Sequence, residues 1–375
     1  MSLQAQLAAL SPQVRETLRR HHFDAAGFVE RARRLSGEVS HSNLVQGKLE
    51  PPGEGDVVEL PPDGSPEARA LFDLGLNALR EGQAAFVVMA GGMATRMGGV
   101  IKALVEVLPG QRFLDLRLNE RSTLERRAGR RVPLWIMTSD ATEQGIREAL
   151  GARIDPDYLD TFVQCLAPRL TPEGDLFRDD AGNVSLHAPG HGDLPDALVK
   201  SGLLGRFVER GGRYVTVTNI DNLGASLDPT ILGFHIQHGK PVTCEVVDKV
   251  DTDRGGIPVR VDGHPMVLEE FRIPESFDPK TVRVFSTNTF HFHAPTLLGL
   301  ALDWTYFTVE KMVDGRKAIQ FERLINEVTS ALPTQYLRLP RTGRESRFLP
   351  VKDWKELEKR LDEITLVARD RGMTE

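Results

Sequence analysis

The residues with the most chemical potential follow an apolar run, Ala84 to Ala90: Gly91-Gly92-Met93-Ala94-Thr95-Arg96-Met97-Gly98-Gly99, with Lys102 three residues on. Glycines let backbone N–H groups close on an anion without a Cβ in the way, and Arg96 and Lys102 add positive charge, so the segment suits phosphate handling. It matches neither common nucleotide loop, lacking the glycines of G-x-G-x-x-G and the terminal G-K-[ST] of a P-loop. Taken alone, it serves equally well as a tight strand exit.

Four further segments concentrate glycine, histidine, amide and charge. In Pro189-Gly190-His191-Gly192-Asp193 the glycines open both the backbone and the His191 ring to a ligand, although a histidine in a turn is commonly a surface residue. In Asn219-Ile220-Asp221-Asn222-Leu223 a carboxylate flanked by amides suits magnesium, which keeps waters and substrate phosphate in its other positions. An Asx turn capping the next helix is the plainer reading. Lys249 closes TCEVVDK ahead of Gly255-Gly256, and Asn288 (FSTNTF) and Lys352 (SRFLPVK) complete the set. Either lysine could equally be solvated strand-end charge. His291 and His293 share a strand face, but no third ligand stands at metal spacing. No G-x-S-x-G elbow is present, and Ser201 reads as part of a helix end.

Such dispersed groups need a scaffold that gathers them. Helical spacing from Leu3 to Leu35 suggests two short helices, Lys48 to Pro66 is a proline- and glycine-rich arm, and Glu67 to Arg80 reads as a helix. The β-like runs Leu134 to Ser139 and Tyr214 to Ile220 precede helical stretches at Thr142 to Leu150 and Asp228 to His238. This alternation predicts an α/β fold, a doubly wound, mostly parallel sheet with helices on both faces. In such sheets ligands collect at the carboxyl ends of strands, where strand order reverses. Gly256 to Pro274 reads as an antiparallel hairpin insert.

Composition narrows the partners. The 375 residues are 40% hydrophobic and 27% charged, which fits a folded globular chain, and the net charge of −6 argues against nucleic-acid or membrane binding. Two cysteines, Cys165 and Cys244, make a disulfide framework or zinc site unexpected. With no basic-then-apolar leader and no run of about eighteen apolar residues, the expected location is cytoplasmic.

Set in order, the segments resemble the eukaryotic-type UDP-sugar pyrophosphorylases, the UTP–glucose-1-phosphate uridylyltransferase family. The resemblance runs from Ala84 to Lys352 through GGMATRMGGVIK, FVQ (162–164), PGHGD, SGLL (201–204), NIDNLGASLDPTILG, VVDK with its following GG, LEE (268–270), STNTF, IQFE (319–322) and SRFLPVK. The histidine of PGHGD and the SRFLPVK ending favour the UDP-glucose branch. It implies a Rossmann-like nucleotidyltransferase domain at 83–352, preceded by a helical region and arm (1–82) and followed by a C-terminal helix (353–375). Two departures stand out. Ala94 replaces the third glycine of the usual G-G-x-G-T, which costs on the order of 1 kcal/mol if that position has positive φ. Lys102 also arrives a residue early and without its proline. Where family members carry a C-terminal β-helix, this chain has helical Trp354 to Met373, so oligomers built through a β-helix are not expected.

The implied reaction is attack of a sugar-1-phosphate, foremost glucose-1-phosphate, on the α-phosphorus of UTP, giving UDP-sugar and pyrophosphate with Mg2+. No general base is needed, because the nucleophile is already anionic; the task is in-line alignment and charge compensation. By resemblance, Gly91, Gly92, Gln164 and Gly190 hold the uracil, and Asp221 ligates magnesium. Lys102, Arg96 and Lys352 bind the triphosphate and leaving pyrophosphate, while His191 and Lys249 meet the phosphates of the sugar nucleotide. Asn219, Gly256, Glu269 and Asn288 read the sugar and its phosphate. Alternatives are galactose-1-phosphate or N-acetylglucosamine-1-phosphate as acceptor, or a non-catalytic nucleotide-sugar binder, which the altered loop at Ala94 motivates. A monomer or small homo-oligomer is expected.

Overall fold

The computed structural model describes residues 1–35 and 43–374. Eight strands form the central sheet: β1 (Val57–Glu59), β2 (Ala84–Met89), β3 (Leu134–Thr138), β4 (Leu159–Val163), β5 (Tyr214–Asn219), β6 (Val242–Asp248), β7 (Val284–His293) and β8 (Thr334–Arg338). Their spatial order is β1-β8-β6-β7-β5-β2-β3-β4. Only β7 runs antiparallel to its neighbours, β5 and β6; every other pair in this sheet is parallel. Every residue of β2 and β3 is buried, because helices cover both faces of a parallel sheet. Along β2 the side chains alternate between two cores, Phe86 and Val88 in one and Val87 and Met89 in the other.

From β2 the chain winds outward through β3 to β4, then returns to place β5 on the other side of β2. Strand order therefore reverses between β2 and β5, and their carboxyl ends open the crevice where ligands collect in such sheets. Helix α4 (Pro66–Arg80) enters β2 and lies against the helix Pro229–His238 through two glycines. A Cβ on Gly75 would stand 1.9 Å from the Pro229 carbonyl oxygen, and one on Gly233 1.9 Å from that of Leu71, so the backbones touch only because both positions lack a side chain.

The N-terminal region holds three helices rather than two: α1 (Leu3–Ala8), α2 (Pro12–Arg20) and α3 (Ala25–Leu35). Ser11 caps α2 and Pro12 occupies its first turn, which ends α1 and restarts the helical period. These helices pack Leu10, Leu18 and Phe28 onto Leu166, Leu170 and Phe321. The arm is woven in as well. Val57–Glu59 pairs with β8, and Leu49–Glu50 pairs antiparallel with the strand Gly256–Val261, itself antiparallel to His264–Glu269. Asp262 and Gly263 between the latter two take φ of 49° and 81°, as a tight two-residue turn demands. The tail forms two helices, Trp354–Lys359 and Leu361–Asp370. Among the described residues no helix is long and apolar enough to cross a membrane.

Candidate active site

The glycine segment leaves β2 as a small hairpin, Met93–Ala94 pairing with Val100–Ile101. Gly98 and Gly99 make its turn at φ 91° and 74°, conformations that L side chains resist. Ala94 takes φ −77°, so replacing a glycine there carries no left-handed strain. Gly91 lies against Gln164, where a Cβ would fall 2.5 Å from its Oε1, and the Gly91 carbonyl accepts from the Ser139 hydroxyl at 2.8 Å. Lys102 donates its backbone N–H to the Gly92 carbonyl at 3.3 Å, folding the lysine back over the loop.

The Lys102 side chain meets Asp221 in a short, largely buried ion pair; the two side chains are 18% and 15% exposed. This contact joins the loop after β2 to the loop after β5, the two lips of the crevice. The second loop is held from below by Arg117, fully buried on the helix Phe113–Ala128, whose guanidinium donates to the carbonyls of Asn222 at 2.6 Å and Ala225 at 2.7 Å. Asn222 in turn clamps the distant SRFLPVK segment: its Oδ1 accepts from the Leu349 N–H at 2.8 Å and its Nδ2 donates to the Arg347 carbonyl at 3.1 Å. A backbone bridge between Asn222 and Pro350 puts exposed Lys352 two residues beyond that clamp, where its N–H donates to Glu356 at 2.8 Å.

Arg347, within the same segment, is buried and grips Glu245 of β6 bidentately at 2.9 and 2.5 Å. Glu245 also faces His291 Nε2 at 2.8 Å. Burial pushes the Glu245 carboxyl upward, but Arg347 and His291 outweigh it and hold the acid below the usual range. His291 is thus partnered by a carboxylate and by Thr216, whose hydroxyl lies 2.9 Å from Nδ1. No group of three His, Cys, Asp or Glu among the described residues gathers as a metal site.

The base-side candidates form one network. Gln164 is buried, and its Nε2 donates to the Gly190 carbonyl at 3.0 Å. Gly190 takes φ 87° and lies on Arg323, whose carbonyl oxygen a Cβ would approach to 2.7 Å. The Arg323 guanidinium pairs with Asp193 and, at 2.5 Å, with Asp196; Asp193 also accepts from the Cys165 N–H at 2.5 Å. His191 Nδ1 accepts from the Ile325 N–H at 3.2 Å, and burial pushes its pKa down to about 4. The ring is therefore neutral at pH 7, with Nε2–H left as a donor.

Between the end of β5 and the middle of β7, Asn288 Nδ2 donates to Asn219 Oδ1 at 3.3 Å. Asn288 holds φ 60°, and its Oδ1 is buried with no partner. Glu269 accepts from Asn326 Nδ2 at 2.6 Å, and burial raises its pKa. Gly256 pairs with Glu269, and a Cβ there would stand 2.7 Å from Asn326 Nδ2. Two candidates join none of these clusters. Lys249 sits at the end of β6 and donates to the Pro279 carbonyl at 3.5 Å. Arg96 is exposed on the hairpin.

The sequence reading missed several groups that carry this geometry: Arg117, Arg323, Asn326, Arg347, Ser139 and His21. His21 is buried on the N-terminal side, its Nδ1 3.0 Å from the Gln164 carbonyl and its Nε2 3.1 Å from Asp140. Arg347 lies inside a segment already singled out, whereas Arg117 and His21 look like ordinary helix-surface charges until the fold buries them.

The glycine-rich strand exit thus faces a lysine–carboxylate pair where a mostly parallel sheet reverses its order, the place where ligands collect in such folds. The chain belongs to the UTP–glucose-1-phosphate uridylyltransferase family, whose profile matches residues 27–364. A probable UTP–glucose-1-phosphate uridylyltransferase of Schizosaccharomyces pombe is 32% identical over 73% of this chain and 58% of that protein. The UTP–glucose-1-phosphate uridylyltransferase of Musa acuminata is 29% identical over 94% of this chain and 77% of its own length. A crystal structure of a UDP-glucose pyrophosphorylase from Leishmania major shares the fold with TM-score 0.73 at 23% identity, over 93% of this chain and 79% of that one. The UDP-N-acetylglucosamine pyrophosphorylase of Trypanosoma brucei superposes at TM-score 0.66 and 20% identity, over 81% and 69%.

Proposed function

We propose that this protein transfers a uridylyl group from UTP to glucose-1-phosphate, releasing pyrophosphate and UDP-glucose, on a doubly wound, Rossmann-like nucleotidyltransferase domain with Mg2+ as cofactor. The observation that carries the reading is the Lys102–Asp221 pair at the sheet's switch point, with the segment that bears Lys352 tied to the neighbouring Asn222. Asp221 offers one carboxylate, which fits magnesium because that ion retains waters and shares substrate phosphates. When bound there, Mg2+ supplies Lewis-acid compensation of phosphate charge.

The chain's own groups do the rest. Gly91 and Gly92 present the backbone and Gln164 the amide that recognise uracil, with Gly190 closing beside the base. Lys102 exchanges Asp221 for the triphosphate, and Lys352 and Arg96 meet the departing pyrophosphate. Neutral His191 donates a hydrogen bond to phosphate, with Lys249 as the charged partner on the sugar-phosphate side. The unpartnered Asn288 Oδ1, Asn219, Glu269 and the bare backbone at Gly256 read sugar hydroxyls; a sugar lacking one leaves a buried polar group unpaired. The negative φ of Ala94 removes the motive for a non-catalytic reading. We read the protein as cytoplasmic, a monomer or small homo-oligomer without nucleic-acid or membrane partners; its net charge of −6 and two free buried cysteines support this.

The deciding assay is pyrophosphate release from UTP and Mg2+ with glucose-1-phosphate, galactose-1-phosphate and N-acetylglucosamine-1-phosphate in turn. Glucose-1-phosphate is expected to turn over fastest. Calorimetric retention of UDP-glucose with no pyrophosphate from any acceptor would make the protein a binder instead.

A further inference from the structure

At the opposite edge of the sheet from the cleft, where β2 and β3 begin, lies a cavity of about 70 Å3. Its wall includes Gly82, Arg130, Trp135, Tyr158, Arg206 and Phe207, with Arg131 and Arg210 at the mouth. Four arginines thus face one carboxylate on the wall, Asp157. Arg131 and Arg210 are already paired, with Asp155 at 2.7 Å and Asp157 at 2.9 Å, and both stay more than half exposed. The other two are not neutralised. Arg206 reaches only the Pro156 carbonyl at 3.4 Å, and Arg130 lies over Gly82, where a Cβ would fall 2.6 Å from its Nε.

Trp135 supplies the second, independent observation. It is 1% exposed, and its indole N–H has no acceptor. A buried donor left unpaired costs free energy, and polar groups in protein interiors are overwhelmingly satisfied. Trp135 thus brings a buried, unsatisfied donor to the set of residues around the cavity, beside two guanidinium groups that lack carboxylates. What is missing is an acceptor with negative charge.

We propose that this cavity is an anion site, separate from the catalytic cleft, that takes a tetrahedral phosphate dianion, either free orthophosphate or the terminal group of a small monoester. Guanidinium forks match the paired oxygens of such an ion. The size decides against a nucleotide, since organic ligands of that class occupy roughly 300–1,000 Å3. The site needs neither UTP nor Lys102, so its fate is independent of the uridylyltransfer reading.

Calorimetric titration with orthophosphate, and separately with methyl phosphate, tests it on the whole protein. Saturable binding is expected in the native chain and in Lys102→Ala, whose cleft charge is removed. Arg206→Ala and Arg130→Ala, both at the surface and remote from the cleft, should each weaken it about tenfold or more while uridylyltransfer continues. Tighter methyl phosphate identifies an ester as the ligand, and tighter orthophosphate the free ion. Absence of saturable binding by either, or binding that survives the arginine variants and vanishes in Lys102→Ala, overturns the proposal.

Discussion

Lys102 and Asp221 stand 119 positions apart in the chain yet share one ion pair. The sequence showed both residue types but not their meeting, because a pairing across two strand exits depends on sheet order rather than on spacing. Lys102→Ala should lower kcat by about a hundredfold or more, since a charge aimed at the reacting phosphates is lost, and should lower the unfolding midpoint as well, because Asp221 is left largely buried without its ammonium. Activity within a few-fold of native would take Lys102 out of the mechanism. Asp221→Asn should remove most turnover and flatten its response to magnesium; an unchanged magnesium titration would exclude Asp221 as the ligand. The expected strain at Ala94 was a fair inference from residue type. Only the backbone could show that the left-handed positions fall on Gly98 and Gly99 instead.

Elements act here through what they hold still. The buried His21 connects the N-terminal helices to the Gln164 carbonyl and to Asp140 at the start of the helix Asp140–Leu150. His21→Ala should raise KM for UTP several-fold with little change in kcat, because Gln164 is displaced while the phosphate groups are not; equal losses in kcat would contradict this. On the other side, Arg347 joins β6 to the segment that carries Lys352. Removing it leaves Glu245 buried without its guanidinium, so Arg347→Ala should cost about 3–5 kcal/mol in denaturant unfolding. A loss under about 1 kcal/mol would mean that the pair contributes little. The strand and helix runs were readable because apolar blocks and turn residues act locally. The arm's strand and the ion pairs beneath the cleft were not, since each owes its state to partners far along the chain; the third N-terminal helix comes instead from the local break at Ser11 and Pro12.

Across the whole molecule the sheet supplies order and the buried imidazoles supply a pH dependence. Burial lowers His187, His191 and His238 to about 4, and His235 well below its ordinary value. Each of these rings is neutral when folded and charges on unfolding, so the unfolded chain binds more protons between about pH 6.5 and pH 4. Stability should therefore fall as pH drops through that window, by up to about 1.4 kcal/mol per pH unit for each fully buried ring. Glu120, Glu269 and Glu327, raised by burial, act in the opposite sense and offset part of it. Thermal unfolding followed from neutral pH downward checks the sign: a midpoint that stayed level or rose on acidification would contradict it. The mostly parallel sheet flanked by helices was legible from alternating blocks of β and helical character. The antiparallel β7 in its midst was not, because strand direction leaves no local mark.

The embrace of Lys102 and Asp221 has a further consequence for how the cleft fills. While empty, it is self-quenched: an arriving anion must detach the ammonium, and an arriving cation must detach the carboxylate. Either visitor alone strands a charge, whereas both together strand none. On the proposed reading, Mg2+ and the triphosphate would therefore be coupled, each guest improving the other's reception by the same factor, with the metal-chelated nucleotide favoured over its separate components.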